Sequence, residues 1–340
     1  MAHPPVALIT GANGEIGRSL LERLHADGRY RVVTLDLTPL PERFRPMCHE
    51  TYAGNILDRY LLDQLAAHHE IEVVFHLAAL LSTRGERDPD LAHQINVEGT
   101  LHLMRMAQQQ SARLGRPVRF ILPSSIAVYG VPSLDEKAAH PRVTEAQFLE
   151  PITMYGCNKL YCEHLGRYFM RHYRSVGPVA ANARLDFRAL RFPGLISADT
   201  VPSGGTSDYG PEMIHHAAQG KPYACFVGPE ARLPFMAMPD AVRALLQLLD
   251  APAEALTLPS YNVGAFSLSA QEFADRVKQA FPGADITFAP DAGRARIVDS
   301  WPGDVDDARA RADWGWAPAY GLDRAFDEYL VPAVRGRYLA

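Results

Sequence analysis

The chain has 340 residues, of which 47% are hydrophobic and 21% are charged, so its composition is that of a globular protein and not of a disordered one. The 34 Lys and Arg residues against 39 Asp and Glu residues give a net charge of -5 at pH 7, which argues against a nucleic acid or an anionic membrane surface as a partner. No run of about 18 uncharged apolar residues occurs, which excludes a membrane-spanning helix.

Short apolar runs alternate with longer amphipathic segments in the first half of the chain. The strand-like runs are Val6–Thr10, Arg31–Leu35, Glu72–Leu77, Val118–Leu122 and Phe187–Phe192. The helix-like segments are Ile16–Ala26, Asp58–His68, Leu91–Leu114 and Tyr155–Tyr173. Continuous apolar strands separated by helices are typical of a parallel sheet covered on both faces. The sequence therefore predicts an α/β fold with a doubly wound parallel sheet, and a ligand at the carboxyl ends of its strands.

The regular alternation ends after Pro193. Residues Val201–Gly210 are rich in Gly, Ser, Thr and Pro and predict a loop. Further predicted elements are a helix near Pro211–Gln219, a strand near Tyr223–Val227, a helix at Asp240–Asp250, a strand at Tyr261–Val263 and a helix at Ala270–Phe281. No linker-like segment separates the halves, so we expect a sheet domain over residues 1–192 and, over residues 193–340, mainly a smaller lobe interleaved with the sheet.

The cysteines and the N-terminus bear on the cellular compartment. Four cysteines in a chain of this length, with no CxxC pair, are too sparse for a disulfide framework. The first apolar run follows Pro4 and Pro5 directly and is too short for a secretory signal peptide. Both observations favour reduced thiols and a cytoplasmic location.

The turn after the first predicted strand reads TGANGEIG over residues 10–17. Gly11 permits a sharp turn, Gly14 lets the backbone approach a pyrophosphate, and Gly17 lets the helix pack on the strand. The helix then directs its N–H groups and positive dipole end at the anion. Asp36 ends the second strand 19 residues after Gly17, where a carboxylate binds the adenosine ribose. Because no arginine follows Asp36 to hold a 2′-phosphate, the sequence favours NAD over NADP.

A tyrosine and a lysine stand four residues apart in the segment YGCNK, on a predicted helix. This spacing stacks Tyr155 and Lys159 on one face, where an ammonium lowers the pKa of a phenol and makes it a usable base. A half-buried tyrosine beside a solvated lysine is the alternative. The strand that ends in Ser124 and Ser125 favours the catalytic interpretation, because it delivers a hydroxyl to the carboxyl edge of the sheet.

Five motifs in this order resemble the extended short-chain dehydrogenase/reductase superfamily, which has a Rossmann sheet. They are TGANGEIG, HLAA (His76–Ala79), NVEGT (Asn96–Thr100), SSIAVYG (Ser124–Gly130) and YGCNK (Tyr155–Lys159). The resemblance implies that Ser125 orients the substrate hydroxyl and that Tyr155 is the acid/base. It further implies that Lys159 supports Tyr155 and the nicotinamide ribose, and that Asn96 organises a proton relay through a kinked helix.

The resemblance also implies a set of NAD contacts. They are Gly11, Asn13, Gly14, Glu15, Ile16, Gly17, Asp36, Asn55, Ile56, Leu77, Ala78, Ala79, Tyr155, Lys159, Phe192 and Pro193. The superfamily often has Asp in the motif that reads Gly54–Leu57 here, so Asn55 takes the place of that carboxylate toward the adenine.

Motifs of the second half are more specific. The segments Leu185–Asp199, Gly204–Tyr209, Arg232–Met236, Asp299–Pro302 and Asp313–Trp316, together with the segment that ends in Ser82, resemble the short-chain-type L-threonine 3-dehydrogenase family. This implies NAD-dependent oxidation of threonine, or of a close 3-hydroxy amino acid, to 2-amino-3-oxobutanoate without a metal. The implied substrate contacts are Ser82, Ser125, Tyr155, Gly194, Thr206, Ser207 and Trp301.

Several of these residues have a structural alternative. The segment Gly204–Tyr209 can cap the following helix through Ser207 or Asp208, and Trp301 can serve in packing alone. We expect Arg232 to pair with a nearby carboxylate. The adjacent histidines at 68–69 and 215–216 point in different directions on their helices and make poor metal chelates.

Two alternative functions and two partners stay open from the sequence. A sugar-nucleotide epimerase or dehydratase would retain NAD, and a catalytically silent dinucleotide sensor would not need the Ser/Tyr/Lys set. The segment Val131–Glu150 is longer and more charged than expected for the threonine-specific group, so it either borders the pocket and changes the substrate or is a surface loop. The family resemblance implies a homodimer through the helices at Leu91–Leu114 and Tyr155–Tyr173, and a link to a 2-amino-3-oxobutanoate ligase.

Overall fold

The computed structural model of the protein describes residues 4–173, 184–202 and 204–338. The strands are β1 (Val6–Thr10), β2 (Arg31–Asp36), β3 (Glu50–Ala53), β4 (Ile71–His76), β5 (Arg119–Ser125), β6 (Asp186–Phe192), β7 (Gly194–Ile196), β8 (Tyr223–Cys225), β9 (Arg232–Ala237), β10 (Ser260–Asn262), β11 (Phe266–Ser269) and β12 (Ile286–Phe288).

The α-helices follow the same chain order. They are α1 (Glu15–Asp27), α2 (Arg59–His68), α3 (Ser82–Arg87), α4 (Pro89–His93), α5 (Thr100–Leu114), α6 (Leu134–Ala139), α7 (Met154–Arg171), α8 (Tyr209–Ala218), α9 (Met238–Asp250), α10 (Ala270–Ala280), α11 (Ala292–Asp299), α12 (Ala308–Trp314), α13 (Leu322–Arg324) and α14 (Val331–Tyr338). Short 3₁₀ turns lie at Glu42–Met47, Ile126–Val128 and Ala253–Ala255, and π turns lie at Gln94–Gly99 and Ala325–Leu330.

A seven-stranded sheet has the strand order β10-β6-β5-β4-β1-β2-β3. The pairings of β1 with β2 and β4, of β2 with β3 and of β4 with β5 are parallel. Every residue of β1 is buried, as is typical of a central strand in a parallel sheet that helices cover on both faces. The predicted doubly wound Rossmann sheet is confirmed. Two smaller sheets have the orders β11-β9-β7 and β12-β8.

The chain divides into two compact units. The first unit consists of Met1–Ser124, Cys157–Leu190 and Leu245–Ser260. The second consists of Ser125–Gly156, Arg191–Ala244 and Tyr261–Ala340. The functional division at residue 192 stays a prediction.

Each unit has its own apolar core. In the first, Leu8, Val33 and Phe120 are completely buried between the sheet and its helices. In the second, aromatic rings pack edge to face: the ring centroids of Phe235 and Phe273 lie 5.4 Å apart, and those of Phe273 and Phe326 lie 5.2 Å apart.

Most predicted elements of the first half occur within one or two residues of their expected bounds, whereas β3, α3 and α6 were not predicted. The short strand β3 was not predicted, because three of its four residues are exposed and it lacks an apolar pattern. The helix predicted at Leu91–Leu114 is not regular, since a π turn at Gln94–Gly99 interrupts it before α5 begins. The loop predicted at Val201–Gly210 ends where α8 begins at Tyr209, and Ser203 within it lies outside the described residues.

In the part of the chain that the structure describes, none of the helices combines the length and the hydropathy needed to cross a lipid bilayer.

Candidate active site

The turn between β1 and α1 is closed against its neighbours on all sides. Gly11 has a φ of 69°, which favours glycine, and a Cβ atom there would lie 2.5 Å from the Ala78 backbone nitrogen. A Cβ atom at Gly17 would lie 2.5 Å from the carbonyl oxygen of Gly11. Gly14 occupies the N-cap position of α1, so no side chain caps the helix. This backbone cradle fits a pyrophosphate, because a helix N-terminus free of side chains directs its N–H groups at an anion.

Asp36 lies beside this cradle at the end of β2. Its Oδ2 atom accepts a hydrogen bond from the Asn13 backbone N–H at 2.9 Å, and its Oδ1 atom accepts one from the Thr38 N–H at 3.1 Å. Arg18 donates to the Asn13 side-chain oxygen at 2.9 Å and fixes that side chain in turn. The carboxylate is therefore held at the ribose end of the cradle, where it fits the two hydroxyls of an adenosine ribose.

Three further predicted cofactor residues belong to the first unit and have different surroundings. Ala78 covers Gly11, and its N–H lies 3.4 Å from the Thr10 hydroxyl oxygen. Ile56 is buried. The Asn55 side chain is exposed and its oxygen accepts a hydrogen bond from the Leu57 N–H at 3.0 Å, so it closes a local turn.

Tyr155 is partly buried on the first turn of α7 and shares a side-chain hydrogen bond with Ser125 at the end of β5. A side chain at Gly156 would collide with the Ala127 carbonyl oxygen, so this glycine lets the helix lie close to the chain after β5. Burial raises the pKa of Tyr155 above that of a free phenol, and the hydrogen bond with Ser125 lowers it. The net direction is opposite to the lowering predicted from the sequence.

Lys159 follows Tyr155 by one helical turn on α7. Its ammonium is buried and donates to the Pro123 carbonyl oxygen at 2.8 Å. Burial lowers the pKa of Lys159 to about 8, while Cys162 and Glu163 raise it. Lys159 is thus anchored to the end of β5.

Asn96 lies in the π turn at Gln94–Gly99 and is buried. Its side-chain oxygen accepts from the Leu80 N–H at 2.7 Å, and its amide nitrogen donates to the Leu80 carbonyl at 3.0 Å and to the Asn158 side-chain oxygen at 3.3 Å. The kink that the resemblance implied is present as this π turn. Asn96 thereby connects the turn to the residue that precedes Lys159 on α7.

The predicted substrate residues are divided between the units. Ser82 is buried at the start of α3 in the first unit. In the second unit, Thr206 is buried, and a Cβ atom at Gly194 would lie 3.3 Å from the Cβ atom of Ser207. Trp301 is 5% exposed, and its indole nitrogen has no acceptor among the described residues.

Phe192 is buried at the end of β6, and Pro193 connects β6 to β7. Asp208 occupies the N-cap position of α8, as predicted for the capping interpretation. Its carboxylate, however, accepts from the Gly205 N–H at 2.6 Å and caps no helical N–H. The Gly204–Tyr209 segment is therefore closed by its own turn.

Arg232 pairs with a nearby carboxylate, as predicted, since one guanidinium nitrogen donates to both oxygens of Glu272 at 2.8 Å. His69 lies 3.0 Å from the Tyr52 hydroxyl and 3.2 Å from a Glu50 oxygen. His215 lies 3.0 Å from the Tyr338 hydroxyl. Over residues 4–173, 184–202 and 204–338, no group of three or more His, Cys, Asp or Glu side chains has a geometry that holds a metal ion.

Comparison with known proteins assigns the chain to a family. The profile described as "NAD dependent epimerase/dehydratase family" matches residues 7–264. The chain belongs to this family. Its dinucleotide is NAD, in agreement with the prediction from Asp36, and its membership in the extended short-chain dehydrogenase/reductases is confirmed.

Several proteins similar to this chain are threonine dehydrogenases. This chain is 35% identical over 318 residues to the mitochondrial L-threonine 3-dehydrogenase of Bos taurus. The matched residues are 93% of this chain and 79% of that one. The chain is 34% identical to a structure described as the GalE-like L-threonine dehydrogenase of Cupriavidus necator, with a TM-score of 0.82 over 98% of this chain and 99% of that one. A monomeric L-threonine 3-dehydrogenase from a metagenome is 33% identical, with a TM-score of 0.84 over the same shares.

Sequence reasoning missed a buried hydrogen-bond chain beside the site. The Nδ1 atom of His76 lies 2.7 Å from the Thr10 hydroxyl oxygen, and its Nε2 atom lies 2.8 Å from the Thr100 hydroxyl oxygen. Thr100 donates its own proton to the Asn96 carbonyl at 2.5 Å, so Nε2 of His76 carries the hydrogen. Burial, and then Lys159, lower the pKa of His76 to about 3, which keeps the ring neutral.

Glu163 was missed as well. It is buried one turn beyond Lys159 on α7, and it accepts a hydrogen bond from the Ser124 hydroxyl at 2.5 Å. The available signals were the histidine that ends an apolar strand and the spacing of four residues between Lys159 and Glu163.

Proposed function

We propose that this protein oxidises the 3-hydroxyl of L-threonine to the ketone of 2-amino-3-oxobutanoate, with NAD as the oxidant. The observation that carries the proposal is the hydrogen-bonded pair of Ser125 and Tyr155, with Lys159 one turn along the same helix. The threonine dehydrogenase relatives support threonine as the alcohol.

In this reaction Tyr155, as the phenolate, takes the proton of the substrate hydroxyl at its oxygen. Ser125 donates a hydrogen bond to the same substrate oxygen and stabilises the charge that develops there. NAD held in the cradle would supply the acceptor for the hydride of C3, so that one hydride and one proton leave the alcohol. Lys159, anchored at Pro123, follows the base by one helical turn on the same helix. Asn96 donates a hydrogen bond to Asn158, the residue before Lys159 on α7, and so holds it in place.

The backbone cradle at Gly11, Gly14 and Gly17 would hold the pyrophosphate, and Asp36 the adenosine ribose. The further proposed cofactor contacts are Asn13, Glu15, Ile16, Asn55, Ile56, Leu77, Ala78, Ala79, Tyr155, Lys159, Phe192 and Pro193. The support for this assignment is the absence of space for any side chain at Gly11 and Gly17.

A zwitterionic amino acid needs donors for its carboxylate and acceptors for its ammonium. We assign this role to Ser82, Gly194, Thr206, Ser207 and Trp301, in addition to the hydroxyl-binding pair. The buried indole N–H of Trp301 supports the assignment, because an unpaired buried donor costs about 1–3 kcal/mol and a bound carboxylate would satisfy it.

The test follows NADH absorbance with NAD and a panel of L-threonine and other 3-hydroxy amino acids. Turnover that is fastest with L-threonine supports the proposal, and turnover that is faster with another member replaces threonine by that compound. Absence of NADH with the whole panel refutes it. Stabilisation of the protein by uridine nucleotides would then favour a sugar-nucleotide epimerase or dehydratase, and stabilisation by NAD alone would favour the silent sensor.

We further propose a homodimer formed through α5 and α7 in the cytoplasm, with a product that a 2-amino-3-oxobutanoate ligase consumes. Two aromatic side chains of α7 support the dimer, since Tyr161 is 52% exposed and Tyr168 is 43% exposed, two helical turns apart. Light scattering tests it: a mass near 75 kDa, twice the 37.5 kDa of one chain, is expected, and a mass near 37.5 kDa contradicts it.

A further inference from the structure

The segment between the serine and tyrosine motifs is a folded part of the second unit. Helix α6 (Leu134–Ala139) forms within it, and the Ser133 hydroxyl accepts from the Glu136 N–H at 3.1 Å as its N-cap. The segment packs along residues Val298–Val305, which carry Trp301 and are called the tryptophan loop below.

Backbone hydrogen bonds join the two segments at both ends. The Val131 N–H donates to the Ser300 carbonyl at 2.7 Å, and the Val143 N–H donates to the Asp304 carbonyl at 3.1 Å. The tryptophan loop is therefore held along its length by a segment whose helix was not predicted from the sequence.

Lys137 of α6 reaches the loop between these two points. Its ammonium donates to the Val298 carbonyl at 3.2 Å, and the Trp301 backbone N–H donates to the same oxygen at 3.2 Å. The lysine stem also packs on the loop, since a Cβ atom at Gly303 would lie 3.6 Å from Cε of Lys137. One carbonyl oxygen thus connects the lysine directly to the turn that places the indole.

The charges around Lys137 fit a fixed position for its ammonium. Burial lowers the pKa of Lys137 to about 8, Asp299 raises it and Arg232 lowers it. Arg232 itself is paired with Glu272, so Asp299 is the carboxylate left to balance the lysine. Partial burial of a cation costs free energy unless the cation is paired or hydrogen-bonded. Lys137 meets both conditions, which distinguishes it from an ordinary surface lysine.

We propose that Lys137 is a positioning residue for the substrate: by sharing the Val298 carbonyl with the Trp301 amide, it fixes the indole against the bound amino acid. The inference rests on the proposed function, because it takes Trp301 as a substrate contact. In this proposal the segment Val131–Glu150 is more than a surface loop, since its helix α6 acts on substrate binding through the tryptophan loop.

The experiment compares the full-length protein with Lys137→Met, which keeps the stem and removes the ammonium, and with Lys137→Arg, which restores a donor. We expect Lys137→Met to raise the KM for L-threonine about 3- to 10-fold, the loss of one hydrogen bond, with kcat and the KM for NAD unchanged. Lys137→Arg should recover most of this loss. The matched control is Lys278→Met, which removes an exposed lysine of the same unit and should change none of the three constants.

A double-mutant cycle with Trp301→Phe separates this role from general stability. We expect Lys137→Met to raise the KM for threonine far less when the indole is already absent. Equal effects in both backgrounds would mean that Lys137 acts independently of Trp301 and would overturn the proposal, as would an unchanged KM in the Lys137→Met single variant.

Acrylamide quenching of tryptophan fluorescence tests the same contact without substrate. The contribution of Trp301 is the difference between each protein and its Trp301→Phe counterpart, since the chain has three tryptophans. Faster quenching of Trp301 in Lys137→Met supports the proposal, and unchanged quenching contradicts it. If the parent protein forms no NADH, the proposed function fails while quenching still decides whether Lys137 fixes the loop.

Discussion

The dinucleotide cradle and the tryptophan loop are held in place by different forces. At the cradle, backbone atoms lie so close to Gly11 and Gly17 that shape alone defines the turn. At the tryptophan loop, charged side chains take part, among them Lys137 and Arg142, whose guanidinium contacts Asp304 and Asp307. The difference teaches that the cradle resists change of side-chain volume, whereas the tryptophan loop responds to change of charge and to salt.

The largest expected effect lies at the base. Tyr155→Phe should lower kcat/KM for threonine about 10²- to 10⁴-fold, because it removes the proton acceptor, while NAD affinity measured by fluorescence titration stays the same. Tyr60→Phe, at a tyrosine of α2 that is 71% exposed, is the matched control. A Tyr155→Phe enzyme with parental kcat would exclude the phenol as base.

The pH dependence follows from the same group. Burial raises the pKa of Tyr155, so the phenolate gains population as pH rises and the rate of oxidation should increase toward alkaline pH. Ser125→Ala removes the hydrogen bond that lowers this pKa and should move the rising part of the profile to higher pH. A profile that does not move in Ser125→Ala would contradict this coupling.

The second effect tests shape at the cradle. Gly11→Ala should weaken NAD binding at least tenfold and lower the free energy of unfolding by about 1–3 kcal/mol, because its methyl group would meet Ala78. Gly28 has a similar φ of 63° but no atom within 4 Å of its Cβ position, so Gly28→Ala reports the backbone strain alone. Equal losses in both variants, measured by denaturant unfolding and NAD titration, would remove the steric argument.

The third effect tests charge at the cradle. Asp36→Asn should lower NAD affinity about tenfold and narrow the preference of NAD over NADP, because a carboxylate accepts the ribose hydroxyls more strongly than an amide and repels a 2′-phosphate. The control is Asp63→Asn on the exposed face of α2. If Asp36→Asn keeps the parental ratio of the two dissociation constants, Asp36 does not select the cofactor.

The smallest expected effect tests the charges that hold the tryptophan loop. Arg142 is about half exposed, with 53% of its side chain accessible, so its ion pairs are screened. Arg142→Met should lower the free energy of unfolding by about 1 kcal/mol or less, and the loss should shrink further in high salt. Arg309→Met, at an exposed position of α12, provides the baseline for loss of a surface charge. A loss that is unaffected by salt would place Arg142 with the residues held by shape.

The sequence predicted the first half well because its physics is local. Apolar strands, the glycine turn and Asp36 follow one another along the chain, and each has a fixed spacing. The positions of Ser125 at the end of a strand and of Tyr155 on a long helix were also predicted, and the structure has them there. The direction of the Tyr155 pKa was not predicted correctly, because burial of the phenol depends on the packing of distant segments.

In the second half, the five predicted elements occur as α8, β8, α9, β10 and α10. Its other strands escaped prediction because their pairing is not local. Strands β7, β9 and β11 are three to six residues long and pair across large gaps in the sequence, so no local period identifies them. The fold of Val131–Glu150 depends on the tryptophan loop more than 150 residues later. His76 escaped notice because both of its hydrogen-bond partners are distant threonines.

The π turn at Gln94–Gly99 separates the requirements of the fold from those of the site. A π hydrogen bond spans one residue more than an α-helical one, so the turn stores a surplus residue between α4 and α5. Deletion of one residue here would let the two helices join as a regular α-helix with their core-facing sides still in phase. The Asn96 carbonyl, now an acceptor for Thr100 and Cys162, would return to the helical ladder. Such a shortened protein would fold and yet lose the alignment of its active site.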